Sequence, residues 1–292
     1  MNQYRSKKAG EKILRTYDNL MGQWGIAYEE RMIVTAYGDT HVTICGKKDG
    51  EPLVLFHGVG DDSALMWLYN AKVLGKEFRL YAVDTIGGPG KSQIGEEYNE
   101  KFDDVAWIDA VLDGLLLKQV LVAGVSHGGY LTQLYTAARP ERVRKGIALA
   151  SAVASGSSEN NGKIMMKIFM PEALFPTRKN TERLLKKLAG DHYQVFTQNE
   201  AIMEHYTYLL RGFNNMAMRY HVVRPLTKEE LDIVREKVTF LAGEKDPFEQ
   251  LGGKELMRKE KVKVFFYPEA GHGINHEIAE TINQKMIEIL RD

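Results

Sequence analysis

Ser126 lies in the segment GVSHGG at residues 124–129, which has the pattern G-x-S-x-G. The apolar run before it predicts a buried strand and the residues after it predict a helix, so the serine falls at a sharp strand-to-helix turn. Flanking glycines suit such a turn, because bulky side chains would clash where the backbone reverses. The turn would project the Ser126 hydroxyl above a sheet as a nucleophile. The alternative, a serine that caps a helix N-terminus, explains Ser126 but none of its neighbours.

Serine is a weak nucleophile at neutral pH, so it needs a base to accept its proton and an acid to orient that base. The candidate base is His272, in the loop between the last predicted strand and the last predicted helix, and His276 is its rival. The candidate acid is Asp246, at the carboxyl end of the preceding strand, with Glu244 as its rival. All the leading candidates follow carboxyl ends of strands, the edge at which open α/β sheets build their sites.

Two backbone amides are candidates for stabilising a developing oxyanion. The amide of His127 follows the nucleophile at a helix N-terminus, and the amide of Val59 lies in the turn HGVG after the first buried strand. We expect both amides to approach the same point. His57 is expected to stiffen its turn through hydrogen bonds, and the His127 ring is expected to face the pocket or solvent.

Strand and helix patterns alternate along most of the chain. Residues Glu30 to Tyr37 and Thr40 to Cys45 alternate in polarity about Gly38-Asp39, which predicts an antiparallel hairpin with a two-residue turn. Continuous apolar runs predict buried parallel strands at Leu53 to Phe56, Arg79 to Val83, Val120 to Ala123, Gly146 to Ala150, Val238 to Ala242 and Val262 to Tyr267. Helical patterns cover Ala64 to Leu74, Asp103 to Leu117, His127 to Ala138 and Ile278 to Leu290. The predicted fold class is α/β, a doubly wound and mostly parallel sheet entered through an N-terminal antiparallel hairpin.

The interval 154–236 interrupts this alternation. It opens with a Ser/Gly/Asn-rich stretch at 155–162, a predicted linker. Helical patterns follow at Thr181 to Leu188 and Asn199 to Arg211. We therefore predict a core domain of residues 1–153 and 237–292, with a helical cap or lid inserted at 154–236.

Two further patterns bear on the cap. Six of the chain's 12 methionines fall within it, and they either pack between helices or face an apolar pocket. These are Met165, Met166, Met170, Met203, Met216 and Met218. Residues 1–28 are expected to contain an amphipathic helix that packs on the core or on the cap.

Composition restricts the partners and the compartment. The 292 residues include 39 Lys+Arg and 39 Asp+Glu, so no net charge favours nucleic acid or an anionic membrane surface. No stretch approaches about 18 uninterrupted apolar residues, and the N-terminus lacks a signal-peptide core, so we expect no membrane span. The single cysteine, Cys45, cannot form an intramolecular disulfide and lies in a strand pattern, which favours a cytoplasmic location. The oligomeric state stays open.

No metal or cofactor is predicted. The histidines outside the candidate site show no His-Glu-x-x-His pattern and no pairing with cysteine. They are His41, His192, His205 and His221. The segment GPGKS at 88–92 resembles part of a phosphate loop, but Thr85 stands where the leading glycine is required and no helix pattern opens at Ser92. Asp84 is expected to be a structural turn residue.

These segments together resemble the successive blocks of the α/β-hydrolase superfamily. The matching residues are His57 to Gly60, Asp84 with Gly87 to Ser92, Gly124 to Gly129, Gly243 to Asp246, and Gly271-His272 with Glu277. The likeness is greatest to capped bacterial carboxylesterases, while the cap itself carries no transferable motif. The resemblance implies an acyl hydrolase without a cofactor, with Ser126, His272 and Asp246 as its triad. The segment GGPG at 87–90 is richer in glycine than the family's usual turn.

Three hypotheses for function follow. The first is a serine hydrolase that cleaves carboxylic esters of small to medium apolar substrates through an acyl-enzyme, with a small-molecule ester as its partner. The second keeps the triad but cleaves a carbon–carbon, amide or thioester bond, because specificity resides in the cap. The third is a ligand-binding signalling protein that retains a hydrolase-like pocket.

Overall fold

A computed structural model describes residues 2–155, 166–170, 172–251 and 253–292 of the chain. Nine strands of these residues form one sheet. They are β1 (Tyr28–Thr35), β2 (Gly38–Gly46), β3 (Glu51–Phe56), β4 (Phe78–Val83), β5 (Gln93–Ile94), β6 (Val120–Val125), β7 (Val143–Leu149), β8 (Val238–Gly243) and β9 (Lys263–Tyr267). Their order is β1-β2-β4-β3-β6-β7-β8-β9, and β5 pairs with β2.

Strands β4, β3, β6, β7, β8 and β9 run parallel, whereas β1 and β2 form the antiparallel hairpin and β2 joins β4 antiparallel. The α/β class, the mostly parallel sheet and the N-terminal hairpin are therefore confirmed. Burial explains the continuous apolar runs, since every residue of β6 is buried. Cys45 lies buried in β2, where burial raises the pKa of its thiol to about 12.

Helices pack on both faces of the sheet. They are α1 (Lys7–Met21), α2 (Ser63–Met66), α3 (Ala71–Leu74), α4 (Asp104–Gly114), α5 (His127–Ala138), α6 (Arg178–Leu188), α7 (Gln194–Thr197), α8 (Glu200–Gly212), α9 (Lys228–Lys237), α10 (Lys254–Lys259), α11 (Ile274–Glu277) and α12 (Ala279–Arg291). Short 3-10 helices cover Asn215–Met218 and Pro247–Leu251. Along β3, Leu53 and Leu55 join one apolar cluster and Val54 and Phe56 join another, as the alternation of a strand requires. Within the described ranges, none of these helices has both the length and the apolarity needed to cross a bilayer.

The hairpin turn differs from the prediction. Thr35 pairs with Gly38, so the turn residues are Ala36-Tyr37 rather than Gly38-Asp39. Gly38 has a φ of +126°, and a Cβ there would lie 2.2 Å from the carbonyl oxygen of Gln93. The glycine therefore marks the close approach of β5 to the hairpin, a long-range contact that the local pattern does not reveal.

Helix boundaries also differ in places. The pattern Ala64 to Leu74 is divided into α2 and α3. The predicted C-terminal helix Ile278 to Leu290 corresponds to α12, and the short helix α11 before it was not predicted. The predicted helix Asp103 to Leu117 ends at Gly114, because Leu116 adopts a φ of 60° that breaks the helical backbone. Helix α5 has the predicted bounds.

The described part of the interval 154–236 contains α6 to α9, while the predicted linker beyond Ser155 lies outside the described residues. Helix α8 packs against α1, which buries Ile13, Tyr17 and Leu20. The expectation of an N-terminal helix packed on the rest of the chain is thus confirmed. Helix α9 instead packs against α5, β7 and β8, as a crossover helix of the sheet does. The division into core and cap stays a prediction.

The N-terminal segment before α1 connects two parts of the fold. The amide nitrogen Nε2 of Gln3 donates to the carbonyls of Gly88 at 3.0 Å and Ser92 at 2.8 Å. The hydroxyl of Tyr4 donates to the carbonyls of Pro89 and Gly90 at 2.9 and 2.8 Å. The backbone of the same segment pairs with the end of α8, where the Arg5 amide donates to the Gly212 carbonyl at 2.8 Å. The loop after β4 and the end of α8 are therefore held by one short stretch of chain.

Candidate active site

Ser126 is the single residue between β6 and α5. Its backbone adopts φ 57° and ψ −116°, a conformation that is strained for any residue except glycine. The Ser126 amide donates to the Leu149 carbonyl at 2.9 Å, and its carbonyl accepts from the Tyr130 amide at 3.1 Å. The side chain makes no capping hydrogen bond, so the helix-cap interpretation is wrong. The hydroxyl borders a cavity instead.

Glycines on both sides make this sharp turn possible. A Cβ on Gly124 would lie 2.1 Å from the Gly128 carbonyl oxygen, and a Cβ on Gly128 would lie 2.4 Å from the Phe56 carbonyl oxygen. Both obstructing atoms belong to the backbone and cannot rotate away. The close approach of β6, α5 and β3 therefore depends on these two glycines, and it holds Ser126 at the tip of the turn.

His272 and Asp246 meet from the loops that follow β9 and β8. Nδ1 of His272 lies 2.8 Å from Oδ2 of Asp246, and Oδ1 of Asp246 accepts from the Phe248 amide at 2.8 Å. The Phe248 ring contacts the His272 ring, with centroids 4.4 Å apart. Since Nδ1 is engaged by the carboxylate, Nε2 of His272 is the nitrogen left for another partner. Sequence reasoning predicted the pairing but missed the contact of Phe248 with the imidazole.

Ser126, His272 and Asp246 all line the same cavity. In the described residues no hydrogen bond joins the Ser126 hydroxyl to the His272 ring, whereas the His272–Asp246 bond is formed. Contacts between a nucleophile and its base are often long before substrate binds. The arrangement thus brings the three predicted residues to one space with the imidazole already oriented.

The rival residues have other roles. Nε2 of His276 donates to the Leu65 carbonyl at 2.9 Å, and burial lowers the pKa of this histidine to about 4. Glu244 forms an ion pair with Lys254. Glu277, known from the sequence only through the resemblance, accepts from the Gly190 amide at 2.6 Å and the Gly271 amide at 3.0 Å. Glu277 therefore fixes the loop that carries His272.

The turn after β3 is braced by His57. Its Nδ1 donates to the Gly58 carbonyl at 2.8 Å, and its Nε2 accepts from the Thr85 amide at 2.8 Å. These two bonds require the neutral ring, and burial lowers the pKa of His57 accordingly. His57 thus stiffens the turn, as expected.

This turn packs directly against the nucleophile. A Cβ on Gly58 would lie 3.3 Å from the Ser126 Cβ, and Val59 lines the cavity. Among the turn and loop hydrogen bonds of the described residues, the amides of Val59 and His127 donate to no backbone carbonyl. Free amides beside a nucleophile can donate to an oxygen that gains negative charge.

Asp84 organises the glycine-rich loop after β4. Its Oδ1 accepts from the Ser63 amide at 3.0 Å, while its Oδ2 accepts from the Lys91 amide and from His41 Nδ1, each at 2.9 Å. Burial alone would raise the pKa of Asp84, but the hydrogen bond and charge of His41 outweigh it and lower that pKa. A Cβ on Gly90 would lie 2.3 Å from the Asp84 carboxyl carbon, which explains one of the extra glycines. The loop leads into β5 rather than a helix, so Asp84 is a structural residue and the segment is no phosphate loop.

The cavity beside Ser126 has a volume of about 890 Å³. Its apolar lining includes Leu65, Met66, Leu185, Phe196 and Met257. Of the cap methionines within the described ranges, none lines the cavity: Met203 and Met218 are buried, Met170 is half-buried, and Met166 and Met216 are exposed. Met165 lies outside the described residues. The cavity wall is therefore largely apolar, but these methionines do not form it.

Asp104, His127 and His221 are the described residues whose spacing fits a metal ion, since their ligand atoms lie within 4.8 Å of one another. Nδ1 of His221 is 2.6 Å from Asp104 Oδ1, and its Nε2 donates to the Ile86 carbonyl at 2.7 Å. Both nitrogens of His221 are thus occupied. The His127 ring packs edge-on against the His221 ring. Nε2 of His127 has no hydrogen-bond partner, and burial lowers the pKa of His127 to about 3. The group joins the segment after α8 to α4 and to the loop after β4.

Comparison with known proteins identifies the family. Residues 51–277 match the family described as alpha/beta hydrolase fold. The chain belongs to the α/β-hydrolase fold family. This match spans the turn with Val59, the elbow with Ser126 and the loops with Asp246 and His272.

Individual relatives within this family are carboxylesterases by name. Carboxylesterase YbfK of Bacillus subtilis strain 168 is 30% identical over 193 residues, which cover 66% of this chain and 63% of the relative. The uncharacterized carboxylesterase nap of the same organism is 33% identical over 143 residues, covering 49% of this chain and 47% of the relative. The alignments thus span less than two thirds of either relative. The crystal structure of naproxen esterase from Bacillus subtilis matches 98% of this chain and 99% of its own with a TM-score of 0.81, at 22% identity, which shows a shared fold.

Proposed function

We propose that this α/β-hydrolase is a carboxylic-ester hydrolase whose triad is Ser126, His272 and Asp246. The proposal rests on one observation: the strained Ser126 and the oriented pair of His272 and Asp246 line the same cavity. The names of the two Bacillus relatives support an ester as the bond that is cleaved.

The reaction follows from the chemistry of each group. Ser126 Oγ attacks the ester carbonyl while Nε2 of His272 takes its proton. Asp246 accepts a hydrogen bond from Nδ1–H of His272 and stabilises the imidazolium. The amides of Val59 and His127 donate to the oxyanion of the tetrahedral intermediate. His272 then protonates the departing alcohol, which leaves an acyl group on Ser126. Water, activated by His272, releases the acid and restores the serine.

We infer that part of the interval 154–236 acts as the cap over this site. Leu185 and Leu188 of α6, Tyr206 of α8 and Val223 line the cavity, so substrate selection falls partly to this interval. Helix α9 packs on the sheet, which favours a cap that ends before Lys228. A pocket wall of mainly apolar side chains suits small to medium apolar acyl or alcohol groups.

Replacement of the nucleophile tests the proposal. Ser126→Ala should lower kcat/KM for p-nitrophenyl butyrate by a factor on the order of 10⁴, because the acyl-enzyme can no longer form. The matched control is Ser151→Ala, which removes another serine hydroxyl from the cavity wall and should keep most activity. Far-ultraviolet circular dichroism verifies that both variants fold. Unchanged turnover by Ser126→Ala would overturn the proposal.

Labelling and a substrate panel separate the other hypotheses. A fluorophosphonate probe should modify the peptide that contains Ser126, and wild-type protein should turn over esters many times. Faster cleavage of amides, thioesters or vinylogous diketones than of esters would show that the preferred bond is an amide, thioester or carbon–carbon bond instead of an ester. Stoichiometric labelling without multiple turnovers of any ester would instead favour a binding protein.

A further inference from the structure

Two polar side chains of the cavity wall have no part in the proposed triad. Asp61 follows the turn that carries Val59, and Tyr206 lies on α8. The residues next to them form a buried bond, in which His205 Nε2 lies 2.8 Å from Asp62 Oδ2. This bond fixes α8 against the start of α2. Because Asp61 precedes Asp62 and Tyr206 follows His205, the same bond brings Asp61 and Tyr206 to a common region of the cavity.

The adjacent aspartates differ sharply in their partners. Asp62 accepts from the Leu65 amide at 3.1 Å in addition to its contact with His205. Asp61 is 8% exposed, and its hydrogen bond in the described structure runs from the Asp62 amide to Oδ1 at 2.8 Å. Burial, and then the charge of Asp62, raises the pKa of Asp61 well above its usual value. Burial beside Asp62 therefore favours the carboxylic acid form of Asp61, which can donate as well as accept.

Tyr206 is also unpaired at the cavity. Within the described ranges its hydroxyl has no hydrogen-bond partner, and neither does Oδ2 of Asp61. Burial, followed by the proximity of Asp61, raises the pKa of Tyr206, so the phenol stays protonated. Neither oxygen is among the fully buried, unpartnered atoms of the described residues, so both are open to the cavity and available to a ligand. Apolar side chains would suit an apolar pocket better at both positions.

We propose that Asp61 and Tyr206 form a polar subsite that binds a hydroxyl group of the substrate. The preferred esters are then hydroxy-substituted rather than plain alkyl esters, an inference that rests on the proposed ester hydrolysis. A hydroxyl both donates and accepts, so it can pair with the carboxylic acid and with the phenol together. A substrate with a carboxylate in place of the hydroxyl would bring that carboxylate close to Asp62, which would repel it. A site that hydrogen-bonds a hydroxyl discriminates strongly against the analogue that lacks it.

The test compares p-nitrophenyl esters of unbranched acids with the same acids bearing a terminal hydroxyl, over a series of chain lengths. At the chain length that reaches the subsite, wild-type protein should prefer the hydroxy ester by about tenfold or more in kcat/KM. Tyr206→Phe should abolish this preference, mainly by raising KM for the hydroxy ester. Asp61→Asn should retain it, because a carboxamide donates and accepts, whereas Asp61→Leu should lose it.

A matched control comes from the same helix. Tyr208 packs near Lys12 and Arg15 rather than the cavity, so Tyr208→Phe should keep the preference. Equal kcat/KM for the two esters at every chain length, or a preference that survives Tyr206→Phe, would refute the subsite while ester hydrolysis stands. Turnover of neither ester would refute the proposed function and the subsite with it.

Discussion

The proposed nucleophile, Ser126, has a strained backbone. Its φ of 57° is enforced by the packing of the two glycines around it rather than by its own side chain. Strain of this kind costs about 1–3 kcal/mol and persists where the surrounding structure determines it. The residue is thus held in place at the expense of stability, as its proposed role as a nucleophile requires.

Replacing the serine with glycine should expose this strain. Ser126→Gly accommodates the positive φ, so its free energy of unfolding should exceed that of Ser126→Ala by about 1 kcal/mol. Both variants lack the hydroxyl, which removes that group from the comparison. Urea unfolding monitored by tryptophan fluorescence measures the difference. An alanine variant at least as stable as the glycine variant would contradict the strain.

At the scale of elements, helix α1 is an integral part of the fold. Ile13 is fully buried, and Thr16 lies 2.7 Å from Nδ1 of His205, whose other nitrogen contacts Asp62. Helix α1 thereby supports the helix that carries Tyr206. A Cβ on Gly212 would lie 2.9 Å from the Ala9 side chain, so the end of α8 approaches α1 closely.

Truncating the buried face of α1 should destabilise the whole chain. Ile13→Ala removes a fully buried side chain and should lower the free energy of unfolding by about 2–5 kcal/mol, through lost burial and a residual cavity. Glu11→Ala, on the exposed side of the same helix, should change it by less than about 0.5 kcal/mol. Equal effects of the two substitutions in urea unfolding would show that α1 contributes little.

Elements set by local chemistry were predictable, and those set by distant contacts were not. The elbow at Ser126 follows from glycines within a few residues of it, and the sequence predicts the pairing of His272 with Asp246 from their places after strands. The turn of the hairpin was misplaced because Gly38 serves contact with β5. Asp61 and Tyr206 carry no motif, since their proximity arises from the docking of α8 on the start of α2.

At the scale of the whole molecule, buried polar bonds join the C-terminal segment to the region after β3. Nδ2 of Asn275 donates to the Met66 carbonyl at 2.6 Å, and Nδ2 of Asn70 donates to Asn283 at 2.8 Å. His276 adds its bond to the Leu65 carbonyl. These contacts hold α11, beside His272, against α2, beside Asp61, so stability and site geometry are linked.

His276 should make this linkage sensitive to acid. Burial lowers its folded-state pKa to about 4, against about 6.5 in the unfolded chain, so its contribution to stability is complete above pH 6.5 and lost as the pH falls towards 4. His276→Gln should reduce the loss of unfolding free energy between pH 7.5 and 4 by roughly 3 kcal/mol at most. The exposed His192→Gln serves as control and should follow the wild-type profile. Parallel profiles for all three proteins would disprove the assignment.

The hydrogen bonds of Gln3, Tyr4 and Arg5 have a practical consequence for expression of this protein. Deleting these residues would remove the hydrogen bonds that connect the loop after β4 to the end of α8, two regions far apart in sequence. Arg291 and Asp292 at the end of α12 are exposed, so an affinity tag fused after them would leave the contacts of Gln3, Tyr4 and Arg5 intact. Assays of a protein without these residues would otherwise report the effect of that lost contact.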